Sequence, residues 1–314
     1  MNETPSTTNS SLHEAVATYH VAVPASIPPT EEDLFYSDGK YVSEEDYFTY
    51  FYEFGDVNYE WNNGILEAKP MADVAKARMY AWFFRLVQAF LDTHPIAGYI
   101  LLEIGFRMVI PDPDIPGATK RVIRKPDLGI VLKDNPIPLN DGDKTYQGIC
   151  DLCIESVSDS TQKEIDRDII DKKSEYNAGG VKEYFIIDDT KKNMHFYRRN
   201  DLGKYLEVKP DAEDVIHSRV LKGFKFRVAD LHRQPLLIEM ALDPLYRSFV
   251  LPEYYEAQRQ KEEAQRRTEE AQRQKEEAQR QKEEALREAE EEKSRADRYK
   301  ELLRKNNIDP DSLI

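Results

Sequence analysis

The 314-residue sequence has only two cysteines, Cys150 and Cys153. So low a number excludes a disulfide framework and points to a reducing compartment, so a cytoplasmic protein is expected. The opening Met-Asn-Glu has neither a basic start nor an apolar core, so no signal peptide is expected. No apolar run reaches the roughly 18–20 residues of a membrane span, and no membrane partner is expected. The six histidines form no His-Glu-x-x-His pattern, and neither a glycine-rich phosphate loop nor a Gly-x-Ser-x-Gly elbow is present. These absences remove the zinc-peptidase, P-loop and serine-hydrolase classes. Cys150-x-x-Cys153 lacks the further ligands that zinc needs, and residues three apart in an extended strand face opposite ways, so both cysteines read as structural.

Positive charge is also scarce. The net charge is −15, yet Glu256 to Lys305 holds 15 acidic and 15 basic residues, so the body of the protein carries the whole excess. An acidic body is ill suited to a nonspecific grip on nucleic acid, which relies on clustered Lys and Arg. Local clusters run against this balance. Lys120-Arg121 and Arg124-Lys125 stand just before Asp127, and Lys163, Lys172, Lys173 and Lys182 surround later motifs, a pattern expected to give a positive rim suited to a phosphate substrate.

What is present divides the chain into four parts. Residues 1–31, rich in Ser, Thr, Pro and Ala, read as a tail. Residues 32–250 read as one domain, 251–305 as a charged helix and 306–314 as a second tail. Within the domain, Asn63-Gly64 between two short runs predicts a β-hairpin over Tyr59 to Glu67. Tyr80, Phe83, Phe84, Val87 and Leu91 recur at helical spacing until His94-Pro95. Tyr99 to Ile110, Leu128 to Leu132 and Ile149 to Val157 read as strands, and Asp112 to Gly117 as a turn. Thr161 to Tyr176 suits a helix stopped by Gly179-Gly180, and Glu183 to Ile187 with His195 to Arg198 suits a second hairpin. Strands interleaved with single helices predict an α/β or α+β fold with a mixed β-sheet.

The C-terminal segment differs in kind. Ala257, Ala264, Ala271, Ala278 and Ala285 repeat every seven residues, and acid-to-base pairs such as Glu262 to Arg266 lie four apart. Each such pair adds about 0.2–0.5 kcal/mol to a helix. A long helix is expected, able to serve as a coiled coil through a homodimer or a partner helix.

Chemistry concentrates in the domain. Pro-Asp occurs five times, but only Pro126-Asp127 opens an apolar strand, which sets Asp127 at its mouth. In Leu152-Cys-Ile-Glu155-Ser-Val157, alternation puts Glu155 on one face with Cys153 and Val157, and a buried glutamate needs a partner. Two acids from neighbouring strands suit Mg²⁺, which takes one or two protein carboxylates and retains waters. Asp168, Lys172 and Tyr176, spaced by four, align on one helix face, from which Lys172 would reach the same site.

The series Pro126-Asp127, Cys153-Ile-Glu155-Ser-Val-Ser-Asp-Ser-Thr161, Asp168-x-x-x-Lys172-x-x-x-Tyr176 and Gly180-Val-Lys-Glu-Tyr-Phe-Ile-Ile-Asp188 resembles the Uma-two family, a branch of the PD-(D/E)XK nuclease superfamily. The resemblance covers roughly residues 32–231 and includes the Tyr59-Glu60 to Gly64 hairpin. It implies a restriction-endonuclease-like core in which two acids bind a divalent metal that activates water against a phosphodiester. Asp127 matches the first acid and Glu155 the second. The superfamily lysine normally stands two residues after that glutamate, where this chain has Val157, and the resemblance implies its displacement to Lys172. Glu60 matches a hairpin glutamate that assists the metal or holds the fold. A histidine common near the first helix is replaced at about Lys76.

The function expected is Mg²⁺-dependent (or Mn²⁺-dependent) endonuclease cleavage of nucleic acid, DNA first, with Asp127, Glu155, Lys172 and Glu60 as the site. The rival from another class is a catalytically weak or inactive nuclease fold that works in protein–protein interaction through its C-terminal helix. A metal-dependent hydrolase of a small phosphate compound is a third reading.

Overall fold

A computed structural model describes residues 28–157 and 161–306. The expected N-terminal tail up to residue 27, the Ser158-Asp159-Ser160 part of the motif and the tail after residue 306 lie outside them.

The chain opens with α1 (Glu31–Phe35) and α2 (Glu44–Asp46), the latter continued by a π-helical turn (Tyr47–Phe51). The hairpin β1 (Tyr59–Asn62) and β2 (Ile65–Ala68) leads to α3 (Val74–Thr93). Next come β3 (Ala97–Leu101), β4 (Phe106–Pro111), β5 (Thr119–Arg124), β6 (Leu128–Leu132) and β7 (Leu152–Ser156). A helical passage follows: α4 (Gln162–Asp166), a second π-helical turn (Arg167–Lys172) and α5 (Lys173–Gly179). The strands β8 (Glu183–Ile187), β9 (His195–Arg199), β10 (Tyr205–Glu207), β11 (Val215–His217) and β12 (Lys225–Arg227) precede α6 (Asp230–Arg233), α7 (Leu237–Leu242) and α8 (Pro252–Lys305).

These elements form two compact units. The first, residues 28–76 and 98–207, holds two sheets: an antiparallel one ordered β2-β1-β5-β4 and a mixed one ordered β10-β9-β8-β7-β6-β3. The expected α/β fold class with a mixed sheet is therefore present. β6 pairs with β7 antiparallel, β7 with β8 parallel, and β8 with β9 antiparallel. The parallel step needs a crossover, and the α4–α5 passage supplies it. Every residue of β7 and β8 is buried, which explains their near-continuous apolar runs. Leu101, Phe106, Met108, Val131, Tyr176 and Ile186 belong to the larger core. An aromatic cluster of Tyr47, Phe51, Tyr52, Tyr59 and Trp61 backs the first hairpin.

Asn63 and Gly64 turn that hairpin with φ of 49° and 102°, the positive angles the dipeptide predicts. Tyr99 to Ile110, by contrast, is not one strand. It breaks into β3 and β4, which enter different sheets, and Glu103 between them has φ of 56°. Apolar content alone does not reveal that break, nor β5, whose Lys and Arg residues masked its strand character. Gly180 ends α5 with φ of 96°, and its N–H and that of Val181 both bond the Tyr176 carbonyl. Gly180→Ala should therefore cost about 1–2 kcal/mol of stability, read from urea unfolding, because a Cβ disfavours the left-handed region.

The second unit, residues 77–97 and those from 208 onward, gathers α3, the β11–β12 hairpin, α6, α7 and α8. Phe83 and Phe90 of α3 meet Phe224, and Phe90 also meets Phe249. The buried face of α3 is Met79, Trp82, Phe83, Leu86, Val87 and Phe90. That face is rotated slightly from the predicted one, leaving Tyr80 and Phe84 half-buried. α8 runs 54 residues with none buried. Its repeating contacts are Gln265 to Glu269, Gln272 to Glu276 and Gln279 to Glu283, which carry the seven-residue period of the sequence.

Candidate functional site

All four candidate side chains lie in the first unit, in one buried charged cluster. β6 and β7 pair Leu128 with Ile154, so one step further the register sets Asp127 opposite Glu155. Opposed residues on antiparallel strands share a face. Asp127 Oδ2 accepts the Ser156 N–H at 2.7 Å, and Oδ1 meets the Lys69 ammonium at 2.7 Å. Glu155 is 1% exposed. Its Oε1 accepts the Tyr176 hydroxyl at 2.9 Å and meets Lys172 Nζ at 3.0 Å.

Lys172 comes from the π-helical turn, a wider coil that recurs at functional sites. Its ammonium touches Glu155 and Asp168 at 3.0 Å and Glu60 at 3.3 Å. The row Asp168, Lys172, Tyr176 is thus the inward face of the helix and not a solvated surface pair. The Asp168 carbonyl is satisfied by the Tyr184 hydroxyl at 3.0 Å.

Glu60 sits at the middle of β1, fully buried, opposite Glu67 on β2. Two acids directly opposed across a hairpin repel unless a cation joins them. Arg124 Nη1 does so, at 3.1 Å from Glu60 and 2.5 Å from Glu67, while its Nε reaches Glu175 on α5 at 2.6 Å. Glu60 Oε1 also accepts the Lys125 N–H at 2.8 Å. Glu60 therefore links the first hairpin to both Arg124 and Lys172. Alternation along β5 puts Lys120, Val122 and Arg124 on one face, and Lys120 also pairs with Glu175, at 2.9 Å.

Burial and neighbouring charge set the protonation states. Burial raises the Glu155 carboxyl to about 8, with Asp127 and Asp168 adding to the effect against Lys172 and Lys69. For Glu60, burial is outweighed by Lys172, Arg124 and Lys69, which hold it at about 2. Asp127 likewise lies well below the carboxylate range, since Lys69, Lys76 and Lys172 overcome burial. Lys172 is pushed upward: burial opposes its charge, but Asp168, Glu155 and Glu60 together prevail. Burial brings Lys125 down to about 8.

Two sequence expectations need correction. The expected positive rim is only partly at the surface: Arg124, Lys125 and Lys172 are buried, each engaged by protein oxygens, whereas Arg121, Lys163 and Lys182 are more than half exposed. Acids and bases brought close together in an apolar shell pair with one another before they can face solvent. The two cysteines also do not diverge. Cys150 precedes β7, so strand alternation does not govern it, and burial followed by a hydrogen bond with Cys150 raises the Cys153 thiol. Both remain free and buried.

Lys69, Glu103, Arg124 and Glu175 were missed as members of the cluster. Lys69, just past β2, binds Asp127, Glu103 Oε2 and the Lys125 carbonyl, each at 2.7 Å. A lone lysine at a strand end carries no signal by itself.

Comparison with solved structures finds a protein described as a "putative nuclease belonging to DUF820" from Anabaena variabilis, 16% identical, with a TM-score of 0.47, covering 62% of this chain and 99% of that one. No curated protein matches the sequence. The Uma2 family model, described as "Putative restriction endonuclease", matches residues 44–229, more than half of the 314. The chain belongs to the Uma2 family.

Proposed function

We propose that this protein is a divalent-metal-dependent endonuclease that hydrolyses phosphodiester bonds of nucleic acid, DNA first, with Asp127 and Glu155 as metal ligands and Lys172 beside the reacting phosphate. One observation carries the reading: the β6–β7 register sets two acids opposite each other, and a buried ammonium stands 3.0 Å from one of them. Membership of a restriction endonuclease family supports a nucleic-acid substrate.

The donors fit Mg²⁺ or Mn²⁺. Among the described residues no group of three or more His, Cys, Asp or Glu side chains forms a full metal cage. Mg²⁺ asks for less, since one or two carboxylates suffice and waters complete the octahedron. A cation is already accommodated beside Asp127, where Lys69 has three oxygen partners. When bound, the metal would supply Lewis acidity and a water of lowered pKa.

The chain's own groups divide the remaining work. Lys172, held charged by three carboxylates, serves as a fixed positive charge for the phosphate and not as a general base. Glu60 and Asp168 aim its ammonium, and Tyr176 orients Glu155. Supercoiled plasmid should be nicked by the purified protein with Mg²⁺ or Mn²⁺ and not with chelator, and Asp127→Asn should lose this activity. Full cleavage by the variant, or cleavage in chelator, would sink the reading.

That α8 has no buried residue favours a second role, in which the helix pairs with a copy of itself or with a partner helix. Light scattering of the full chain beside a form ending at residue 250 tests it. An α8-dependent increase in mass is expected, and equal masses per chain would remove the homodimer.

A further inference from the structure

The ammonium of Lys69 occupies a position that the proposed metal site would need. It bonds Asp127 Oδ1, Glu103 Oε2 and the Lys125 carbonyl, each at 2.7 Å, an all-oxygen environment of the kind that suits a hard cation. Asp127 cannot readily turn aside, because its other oxygen is tied to the Ser156 N–H at 2.7 Å. A divalent ion on Oδ1 would stand about 2.1 Å from that oxygen. An ammonium on the same atom would then lie within a few ångströms of a double charge, in a buried setting that screens repulsion weakly.

Lys69 has somewhere to go. Its side chain is 9% exposed, whereas that of Glu103 is 46% exposed and is also bonded by Asn58 Nδ2 at 2.7 Å. Glu103, which also hydrogen-bonds Asp127, therefore offers the ammonium a second carboxylate on the solvent side of the site. Lys69 itself stands in the irregular link between β2 and α3, where Met71, two residues on, is exposed.

Resting on the metal reading above, we infer that Lys69 is a built-in counter-cation of Asp127, which gives up Asp127 to an incoming divalent cation while remaining paired with Glu103. Lys69 thus sets a threshold for metal loading and keeps two opposed acids compatible before loading. In this role it is a positioning residue, distinct from Lys172, whose three carboxylate partners do not include Asp127.

The test is direct Mn²⁺ binding to the full chain, followed by electron paramagnetic resonance of the free ion, without any activity measurement. Lys69→Met should tighten binding about tenfold, since no internal cation remains to be displaced. Lys69→Arg keeps the competing charge and should bind like wild type. Asp127→Asn should remove the binding in both the wild-type and the Lys69→Met backgrounds. Asp127-dependent binding that is unchanged or weaker in Lys69→Met would overturn the role of Lys69 and leave the metal reading standing. The absence of Asp127-dependent binding from every variant would overturn both. A second measurement uses wild-type protein alone: Mg²⁺ titrated into chain labelled with ¹⁵N at lysine Nζ should shift the Lys69 ammonium signal, assigned by its loss in Lys69→Arg. A Lys69 signal that stays in place at Mg²⁺ levels saturating Asp127 would also overturn the inference.

Discussion

Glu155→Gln should abolish metal-dependent cleavage, by on the order of 10³-fold, while leaving the protein folded and more stable than wild type above pH 8. The loss of rate follows from replacing an anionic metal ligand with a neutral amide, because several kcal/mol of transition-state stabilisation correspond to about three powers of ten. The gain in stability follows from burial. The Glu155 carboxyl is raised to about 8 in the folded chain, from an ordinary value of 4.5. A carboxyl raised in this way binds its proton more tightly when folded. Its contribution is therefore fully present below pH 4.5 and is lost as pH rises through 8. Glutamine keeps a carbonyl for the Tyr176 hydroxyl and carries no charge at any pH, and Lys172 keeps Glu60 and Asp168. Urea unfolding at pH 5, 7 and 9 should show the variant and wild type converging at pH 5 and separating, on the order of a few kcal/mol, at pH 9. Equal curves at all three values would mean that Glu155 is ionised at little cost, and full cleavage by the variant would remove it from the site.

Arg124→Met should have the largest cost in stability, about 3–5 kcal/mol, the range found when one member of a buried ion network is deleted. The guanidinium is fully buried between Glu60, Glu67 and Glu175, and no methionine can neutralise them. Lys120 remains beside Glu175 and Lys172 beside Glu60, but Glu67 loses its ion pair with Arg124. Arg124 also stores a cost of its own, since its buried Nη2 has no hydrogen-bond partner among the described residues. The pH dependence carries a clear sign. Glu60 is held at about 2, and Glu67 is lowered once Arg124 and Asn62 outweigh its burial. The stabilisation from these depressed carboxyls is present above pH 4.5 and fades as pH falls through about 2. The gap between variant and wild type should therefore be full at pH 7 and shrink in acid. Arg124→Lys should recover only part of it, because a single ammonium cannot copy a fork whose Nη1 and Nε serve carboxylates on different elements. Unfolding curves that match wild type at pH 7 would show that the three acids relax without the guanidinium.

Much of the local structure was legible in the residues. Asn63-Gly64 called for a tight hairpin, Gly180 for a helix stop, and the apolar runs at Leu128 and Glu183 for buried strands, because each depends on backbone preferences within a few neighbours. The break at Glu103 and the strand Thr119–Arg124 were not legible. Which sheet a strand enters depends on partners dozens of residues away, and a strand whose charges are neutralised by those partners looks solvated when read alone.

The same division holds at the site. By itself the sequence determined which side chains are acids and bases, that Asp127 opens a strand, that Glu155 lies within one, and that Lys172 shares a helix face with Asp168 and Tyr176. Only the tertiary structure decided that Arg124 and Lys125 turn inward, that Glu60 and Glu67 share one guanidinium, and that Lys69 sits on Asp127. The physical reason is the range of the forces involved. Backbone preference and side-chain periodicity act over a turn or two of chain, whereas the pairing of buried charges is settled by burial, which strips away water and makes each group take whatever opposite charge the fold brings near.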